Sequence, residues 1–216
     1  MSLSVTLDNI GLKKGYNLLI SNLNLEAKNG DAISLTGQNG VGKTTLLRAI
    51  AGFFSPFAGK ISASDDSGPI EPVRFRTELI HYLGHQDALS PTRTTEQELR
   101  FQAQYLNANE NNYQFAVQYL NLAPLLDLET RLLSAGQKRR VSFARLLIAQ
   151  RPVWLLDEPM SPLDADQRDV AARLMQDHLS DGGIIIAAVH DPLPFETRIV
   201  HLTRPDVKAQ EAALVD

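Results

Sequence analysis

The stretch Gly37-Gln-Asn-Gly-Val-Gly-Lys43-Thr44 spaces glycines, a lysine and a hydroxyl residue as G-x-x-x-x-G-K-[ST], the pattern of a loop that holds phosphates. The chemistry asks for these residue types. Gly40 and Gly42 leave backbone N–H groups free to curl around phosphate oxygens, and the helix that opens at Lys43 adds the positive end of its dipole. Lys43 is expected to reach the β- and γ-phosphates of a nucleotide, and Thr44 to offer its hydroxyl to Mg²⁺. Gly37, Asn39 and Thr45 complete the expected nucleotide-binding set in this loop. A glycine turn that merely precedes a helix would have no need of Lys-Thr at its end.

Val153-Trp-Leu-Leu-Asp157-Glu158-Pro159 is an apolar strand ending in two carboxylates. In open parallel sheets, ligands sit at the carboxyl ends of strands. Asp157 is therefore expected to hold Mg²⁺ through its water shell, and Glu158 to polarise an attacking water. Two adjacent acids are costly unless a cation or proton lies between them, which argues against a plain Asp-Glu-Pro surface turn. Leu133-Ser134-Ala-Gly136-Gln137 opens a further helix. Ser134 and Gln137 have the spacing of a capping box. A capped N-terminus is stabilising in itself and is also an anion site, so both readings coexist.

Taken in order, the phosphate loop, Gln86, Leu-Ser-Ala-Gly-Gln, Leu-Leu-Asp-Glu-Pro, Ser161-Pro-Leu-Asp164 and His190 resemble the nucleotide-binding subunit of ABC transporters over nearly the whole chain. The resemblance implies an ATPase that uses ATP and Mg²⁺. By it, Gln86 touches Mg²⁺ and senses the transport partner. Ser134 and Gly136, with Gln137, contact the γ-phosphate bound by the opposite subunit, and Asp164 lies in a loop crossing the dimer seam. His190 contacts the γ-phosphate and joins Lys43 and Glu158 as catalytic residues. The resemblance further implies a homodimer of ATPase chains attached to multi-helix membrane subunits.

Two positions depart from that pattern. Ala135 stands where glycine is usual, which is tolerable if the backbone there is helical. The residue that stacks on adenine falls near Lys14 or Gly15, making neighbouring Tyr16 the candidate, with an exposed loop tyrosine as the alternative. Three stretches, Tyr82-Leu-Gly84-His85-Gln86, Thr94-Thr-Glu-Gln-Glu-Leu99-Arg-Phe101 and Leu133-Ser-Ala-Gly-Gln-Lys-Arg-Arg140-Val, are similar to the ATP-binding subunit of the bacterial haem exporter of cytochrome c maturation. Gln97-Glu98-Leu99 departs from the usual Glu-Asn-Leu. Haem is expected to be handled only indirectly, by the membrane partner. His81 and His85 lie four apart on a predicted strand. They are expected to diverge and read as ordinary strand-end histidines.

The elements that must position these groups follow from periodicity. Residues 3–7 and 23–27 alternate as half-buried strands of an antiparallel edge region. Ala32–Thr36 is a short apolar strand feeding the phosphate loop, and a helix over 43–51 stops at Gly52. Residues 62–72, rich in Ser, Asp, Gly and Pro, read as a loop. A strand is expected over 79–84, and residues 95–123 have helical spacing. Two strand–helix units come next. Residues 153–157 lead into a helix near 165–179, and residues 184–189 into a turn or helix. The fold expected is α/β, a P-loop NTPase with a mostly parallel sheet, an N-terminal antiparallel edge and a small inserted helical lobe. All of 1–216 is one ABC ATPase domain in this reading, with a core of 1–86 and 134–216 and the lobe at about 87–133. The last dozen residues, with Lys208, Gln210 and Glu211, read as a surface tail.

Bulk properties narrow the functions. Of 216 residues, 44% are apolar and 21% charged, and the net charge is −4. The densest basic cluster, Lys138-Arg139-Arg140, is no nucleic-acid arm, so DNA or RNA as main partner is disfavoured. Without cysteine there is no disulfide or thiolate metal site. The N-terminus lacks the pattern of a signal peptide. The longest apolar run, Ile184 to Val189, is far below the roughly 20 residues that span a bilayer. The expectation is a peripheral protein on the cytoplasmic face of the inner membrane. The competing readings are a soluble ABC ATPase acting on DNA or ribosomes and, more remotely, a nucleotide kinase or GTPase sharing only the phosphate loop.

Overall fold

Alternating apolar residues shape the first hairpin. β1 (Ser4–Lys14) and β2 (Asn17–Lys28) pair antiparallel, with Val5 opposite Ala27 and Leu7 opposite Leu25. Both strands run well past the expected 3–7 and 23–27. Register shifts between Leu7 and Lys13 break strict alternation, and such bulges hide a strand's continuation from a period-two reading. The computed structural model describes residues 2–205, and the expected tail with Lys208, Gln210 and Glu211 lies outside them.

β3 (Ala32–Thr36) starts a second sheet, while β4 (Ala58–Asp65) and β5 (Gly68–Pro69) complete the first in the order β2-β1-β4-β5. The expected loop over 62–72 is therefore corrected. Its first residues belong to β4, with Ala63 buried against the core and Ser64 Oγ 2.9 Å from Ser4 Oγ across the pair. The serines and aspartate that suggested a loop share β4 with Ala63, the one residue of its last four that is buried.

The second sheet adds β6 (Ile80–Leu83), β7 (Val153–Asp157), β8 (Ile184–Ala188) and β9 (Arg198–His201), all parallel, in the order β6-β7-β8-β3-β9. β7 and β8 are buried along their whole length, as central strands covered on both faces must be. The sequence reading missed β9, a short edge strand with Ile199 exposed. Polar ends and one-sided burial leave little periodicity to detect. From Val189 to it the chain forms a loop broken by Pro192 and Pro194, not a helix.

The helices are α1 (Lys43–Ile50), the single turn α2 (Pro72–Arg74), α3 (Thr95–Tyr105), α4 (Glu110–Tyr119), α5 (Ala135–Ile148) and α6 (Ala165–Ser180). Ile33, Leu155 and Ile186 share one apolar cluster with α1 and the antiparallel sheet; Trp154, Leu156, Ile185 and Ala187 face another with α4, α5 and α6. The parallel sheet is thus sandwiched, and its carboxyl edge is left for the site. His81 is buried in β6, its Nε2 2.5 Å from the Ala149 carbonyl, while His85 is exposed. The two separate because β6 ends at Leu83. On an unbroken strand, residues four apart would share a face, so the divergence has a different cause from the one expected.

Candidate active site

The glycine loop leaves β3 and enters α1 through backbone that only glycine adopts readily. Gly37 has φ 134 and Gly42 φ 115, both left-handed values that a Cβ disfavours. Gly42 caps α1 with no side-chain hydrogen bond, so the free N–H groups of the first turn face outward as an anion site. Lys43 is buried, and its Nζ donates to the Gly37 carbonyl at 2.8 Å. That bond closes the loop around its own lysine. Thr44 and Thr45 are half-buried, and Asn39 and Gly40 are exposed on the loop's outer side.

β7 brings its acids to the same edge. Thr44 Oγ1 donates to Asp157 Oδ1 at 3.1 Å. Asp157 is 2% exposed, and its second oxygen, Oδ2, has no hydrogen-bond partner. A buried carboxylate oxygen without a donor fits a cation. Among the described residues no group of three or more His, Cys, Asp or Glu could hold a metal. The donor set suits an ion bound by one carboxylate, one hydroxyl and the phosphates of a ligand, as Mg²⁺ is. Glu158 has φ 52, and its N–H donates to the Ala188 carbonyl at 2.9 Å. His190, beyond β8, places Nε2 3.8 Å from Glu158 Oε1. The structure thus brings Lys43, Thr44, Asp157, Glu158 and His190 together. A cleft of 460 Å³ lined by Glu158, His190, Ser161 and Arg168 adjoins them.

The Leu-Ser-Ala-Gly-Gln segment stands apart from this group. Ser134 caps α5 in a full capping box. Its Oγ accepts from the Gln137 N–H at 3.2 Å, and Gln137 Oε1 accepts from the Ser134 N–H at 2.8 Å. The serine oxygen accepts there, so its O–H remains free to donate. Ala135 is the first helical residue, which explains why glycine is dispensable at that place. Gly136 is tight for another reason. A Cβ on it would lie 3.1 Å from the Pro162 carbonyl and 2.6 Å from Gln167 Oε1, so the segment packs on the loop before α6. Asp164 caps α6 through the Gln167 N–H at 2.9 Å. Tyr16 is 90% exposed at the tip of the first hairpin. Three residues on, Leu19 lies against Gly42, so that hairpin does run beside the phosphate loop.

Gln86 is exposed just beyond β6. Sequence reasoning passed over the residue that grips its loop. Arg139, on α5 and 1% exposed, donates Nη1 to the Gly84 carbonyl and Nη2 to the His85 carbonyl, each at 3.0 Å, and pairs with Asp87 Oδ1 at 3.2 Å. Burial holds its guanidinium pKa below the ordinary value, against the smaller opposing effect of Asp87, Asp157 and Glu158. A helical period would have found it, since residues 139, 142, 143 and 146 share one face and all four are buried.

The family model described as ABC transporter matches residues 20–161. The chain is 45% identical over 185 residues, 86% of it and 90% of its relative, to the cytochrome c biogenesis ATP-binding export protein CcmA of Rhodopseudomonas palustris. It is 36% identical to the protein of that name from Agrobacterium fabrum, covering 90% of this chain and 92% of the other. Its fold is similar to that of MJ0796, a bacterial ABC transporter cassette solved as a dimer, with TM-score 0.77 and 25% identity over 92% of this chain and 94% of that one.

Proposed function

This chain belongs to the ABC transporter family, and we propose that it is the ATP-hydrolysing subunit of a haem exporter in cytochrome c biogenesis. The single observation that carries the ATPase reading is the meeting of Thr44 with Asp157, and of Glu158 with His190, at the carboxyl edge of the sheet, beside an uncapped helix and a buried lysine. The export role rests on relatives whose name is ATP-binding export in cytochrome c biogenesis.

In this reading the loop N–H groups and Lys43 bind the β- and γ-phosphates of ATP. Thr44, Asp157 and Gln86 would hold Mg²⁺, which when bound neutralises phosphate charge. Glu158 takes the proton of a water whose oxygen attacks the γ-phosphorus while the bond to the β-phosphate oxygen breaks. His190 donates to the γ-phosphate and stays near Glu158. Positioning and electrostatics do most of the work in such transfers. Ser134, Gly136 and Gln137 serve the ATP of a second copy, and Tyr16 stacks on adenine. Residues 1–86 and 134–216 act as the nucleotide-binding core, with about 87–133 as the helical lobe.

A multi-helix membrane subunit docks beside Gln86 and keeps the ATPase peripheral on the cytoplasmic face of the inner membrane. A cleft of 440 Å³ between β6 and α3, lined by Tyr82, Phe101, Tyr105, Arg145 and Arg151, suits it. Among the described residues no helix is long and apolar enough to cross a membrane, so haem would pass through that partner. The test joins chemistry to partner. Glu158→Gln should bind ATP like the wild type in calorimetry, hydrolyse it at least about 100-fold more slowly, and still co-purify from membranes with a multi-helix protein. Normal turnover would remove Glu158 as the base, and recovery free of any membrane protein would favour a soluble ABC ATPase.

A further inference from the structure

We propose that Arg139 is a positioning residue that fastens the Gln86 loop to α5, so that Gln86 is held in register with this helix. For its consequence in catalysis, the inference rests on the reading that Gln86 serves the ATPase site. The grip closes on both sides of Gln86. Before it, the carbonyls of Gly84 and His85 accept from the two arms of one guanidinium. After it, Asp87 pairs with the same guanidinium and accepts from Ser142 Oγ at 3.1 Å, one turn further along α5. Ser142 Oγ also lies 2.8 Å from the Arg139 carbonyl, so its one proton is shared between that carbonyl and Asp87.

The other side of the loop is loose. The β6–β7 ladder ends at Leu83 opposite Leu156. Among the described residues no backbone-to-backbone hydrogen bond outside the ladder holds residues 84–88. Ala88 then takes φ 53, a left-handed turn at which the chain leaves for α3. Among the described residues, the segment 84–87 thus continues from β6 without ladder hydrogen bonds and is held to α5 by side-chain bonds. Arginine suits this task because its planar fork serves two successive carbonyls and a carboxylate at once, which a lysine ammonium cannot do in fixed geometry. A buried charge is a poor way to gain stability, and its best-attested use is to fix register. Here the register is that of Gln86 relative to the helix whose first turn carries Ser134 and Gly136. Whatever moves α5 then moves Gln86 with it, linking the γ-phosphate face of one site to the cation face of the other.

The chain has no cysteine, so single cysteines can be introduced for spin labels without background. Labels at His85→Cys and Lys138→Cys report the loop against α5, and labels at Lys138→Cys and Ser180→Cys report α5 against the core. In the otherwise wild-type chain the 85–138 distance distribution should be narrow. In Arg139→Met/Asp87→Asn, which removes the grip without stranding a charge, it should at least double in width while 138–180 stays unchanged. An unchanged 85–138 width overturns the proposal. Activity supplies the second arm, with ATPase kcat and KM measured for Arg139→Met/Asp87→Asn, for Gln86→Ala and for the combination. We expect kcat for the first to fall about 10-fold at unchanged KM, Arg139→Lys to fall between it and wild type, and the combination to be no slower than Gln86→Ala alone. A further 10-fold loss in the combination would show that Arg139 acts other than through Gln86 and overturns the positioning role. Wild-type turnover by Gln86→Ala would instead remove Gln86 from the ATPase site and leave the mechanical fastening, read by the labels, standing.

Discussion

Glu158 carries its carboxylate on a backbone with φ 52, a left-handed conformation that costs a residue with a Cβ about 1–2 kcal/mol. The turn is fixed from outside, by its N–H to Ala188 and by the Ser161 N–H to its carbonyl at 3.3 Å. Strain of this kind persists where the surroundings over-determine it and the side chain is needed in that place. Glu158→Gly should relieve it. We expect the thermal midpoint to rise by about 2 °C, corresponding to roughly 0.5–1 kcal/mol for a chain of this size, while turnover falls by about 100-fold or more. A lowered midpoint in scanning calorimetry would contradict the strain account. The place of the carboxylate was legible, because a continuous apolar run marks where β7 stops. Its backbone was not, since a positive φ leaves no mark on the sequence where a residue other than glycine adopts it. Arg139 was hidden for a related reason. In the run Lys138-Arg139-Arg140 nothing but helical phase separates a buried guanidinium from its less buried neighbours.

At the scale of elements, the strands and helices that build the site are those whose periodicity is undiluted. β7 and β8 are continuous apolar runs, legible at nearly their true bounds, and the start of α5 is announced by its capping box. β4 and β9 were not legible in this way, because strands with little apolar burial carry polar residues and lose their period. Buried histidines tie elements together in a way that pH can read. His81 joins β6 to the residue that ends α5, its ring nitrogen against the Ala149 carbonyl, and burial pushes its pKa down to about 3. His178, stacked on Trp154 at 3.7 Å between ring centres, is pushed down to about 4, also by burial. Both are neutral when folded and take up a proton when unfolded, so the unfolded state binds more protons. Stability is then complete above the ordinary histidine pKa of about 6.5 and is lost as pH falls towards the folded values. His81 alone should lower unfolding free energy by about 2 kcal/mol between about pH 7 and about pH 5. Urea titrations should show this acid slope flattened in His81→Gln, which keeps a donor for the carbonyl. An equal slope in both proteins would mean that His81 does not titrate in that window.

For the whole molecule, the residues expected to serve one nucleotide lie in two groups that do not meet on one chain. Lys43, Thr44, Asp157, Glu158 and His190 cluster at the sheet's carboxyl edge, whereas Ser134 and Ala135 are exposed at the start of α5. Among the described residues no hydrogen bond links 134–137 to the phosphate loop; the polar contacts of Ser134 and Gln137 close on their own cap. The exposed start of α5 and the glycine loop on the same chain can both be used if two copies join head to tail, each terminus covering the other's loop. Closure of a site would then exclude water only when two chains join around its nucleotide, so that catalysis is gated by association. Mixing inactive chains tests this directly. Lys43→Ala destroys the loop half of a site, and Ser134→Arg fills the space where the partner's phosphate would lie while leaving its own loop intact. Each variant alone forms only dead homodimers. In a heterodimer the loop of the Ser134→Arg chain faces the intact Ser134 of the Lys43→Ala chain, and that one site is whole. If chains exchange freely, half the dimers in an equal mixture are mixed and one site in two is active, so about a quarter of the wild-type rate per chain should return. Circular dichroism must first show both variants folded, because Ser134→Arg also removes a cap worth about 1 kcal/mol. Recovered activity that rises to a plateau as the chains are combined would establish the composite site. If folded, freely exchanging chains recover nothing, each chain must complete its site alone, and the exposed Ser134 needs another role.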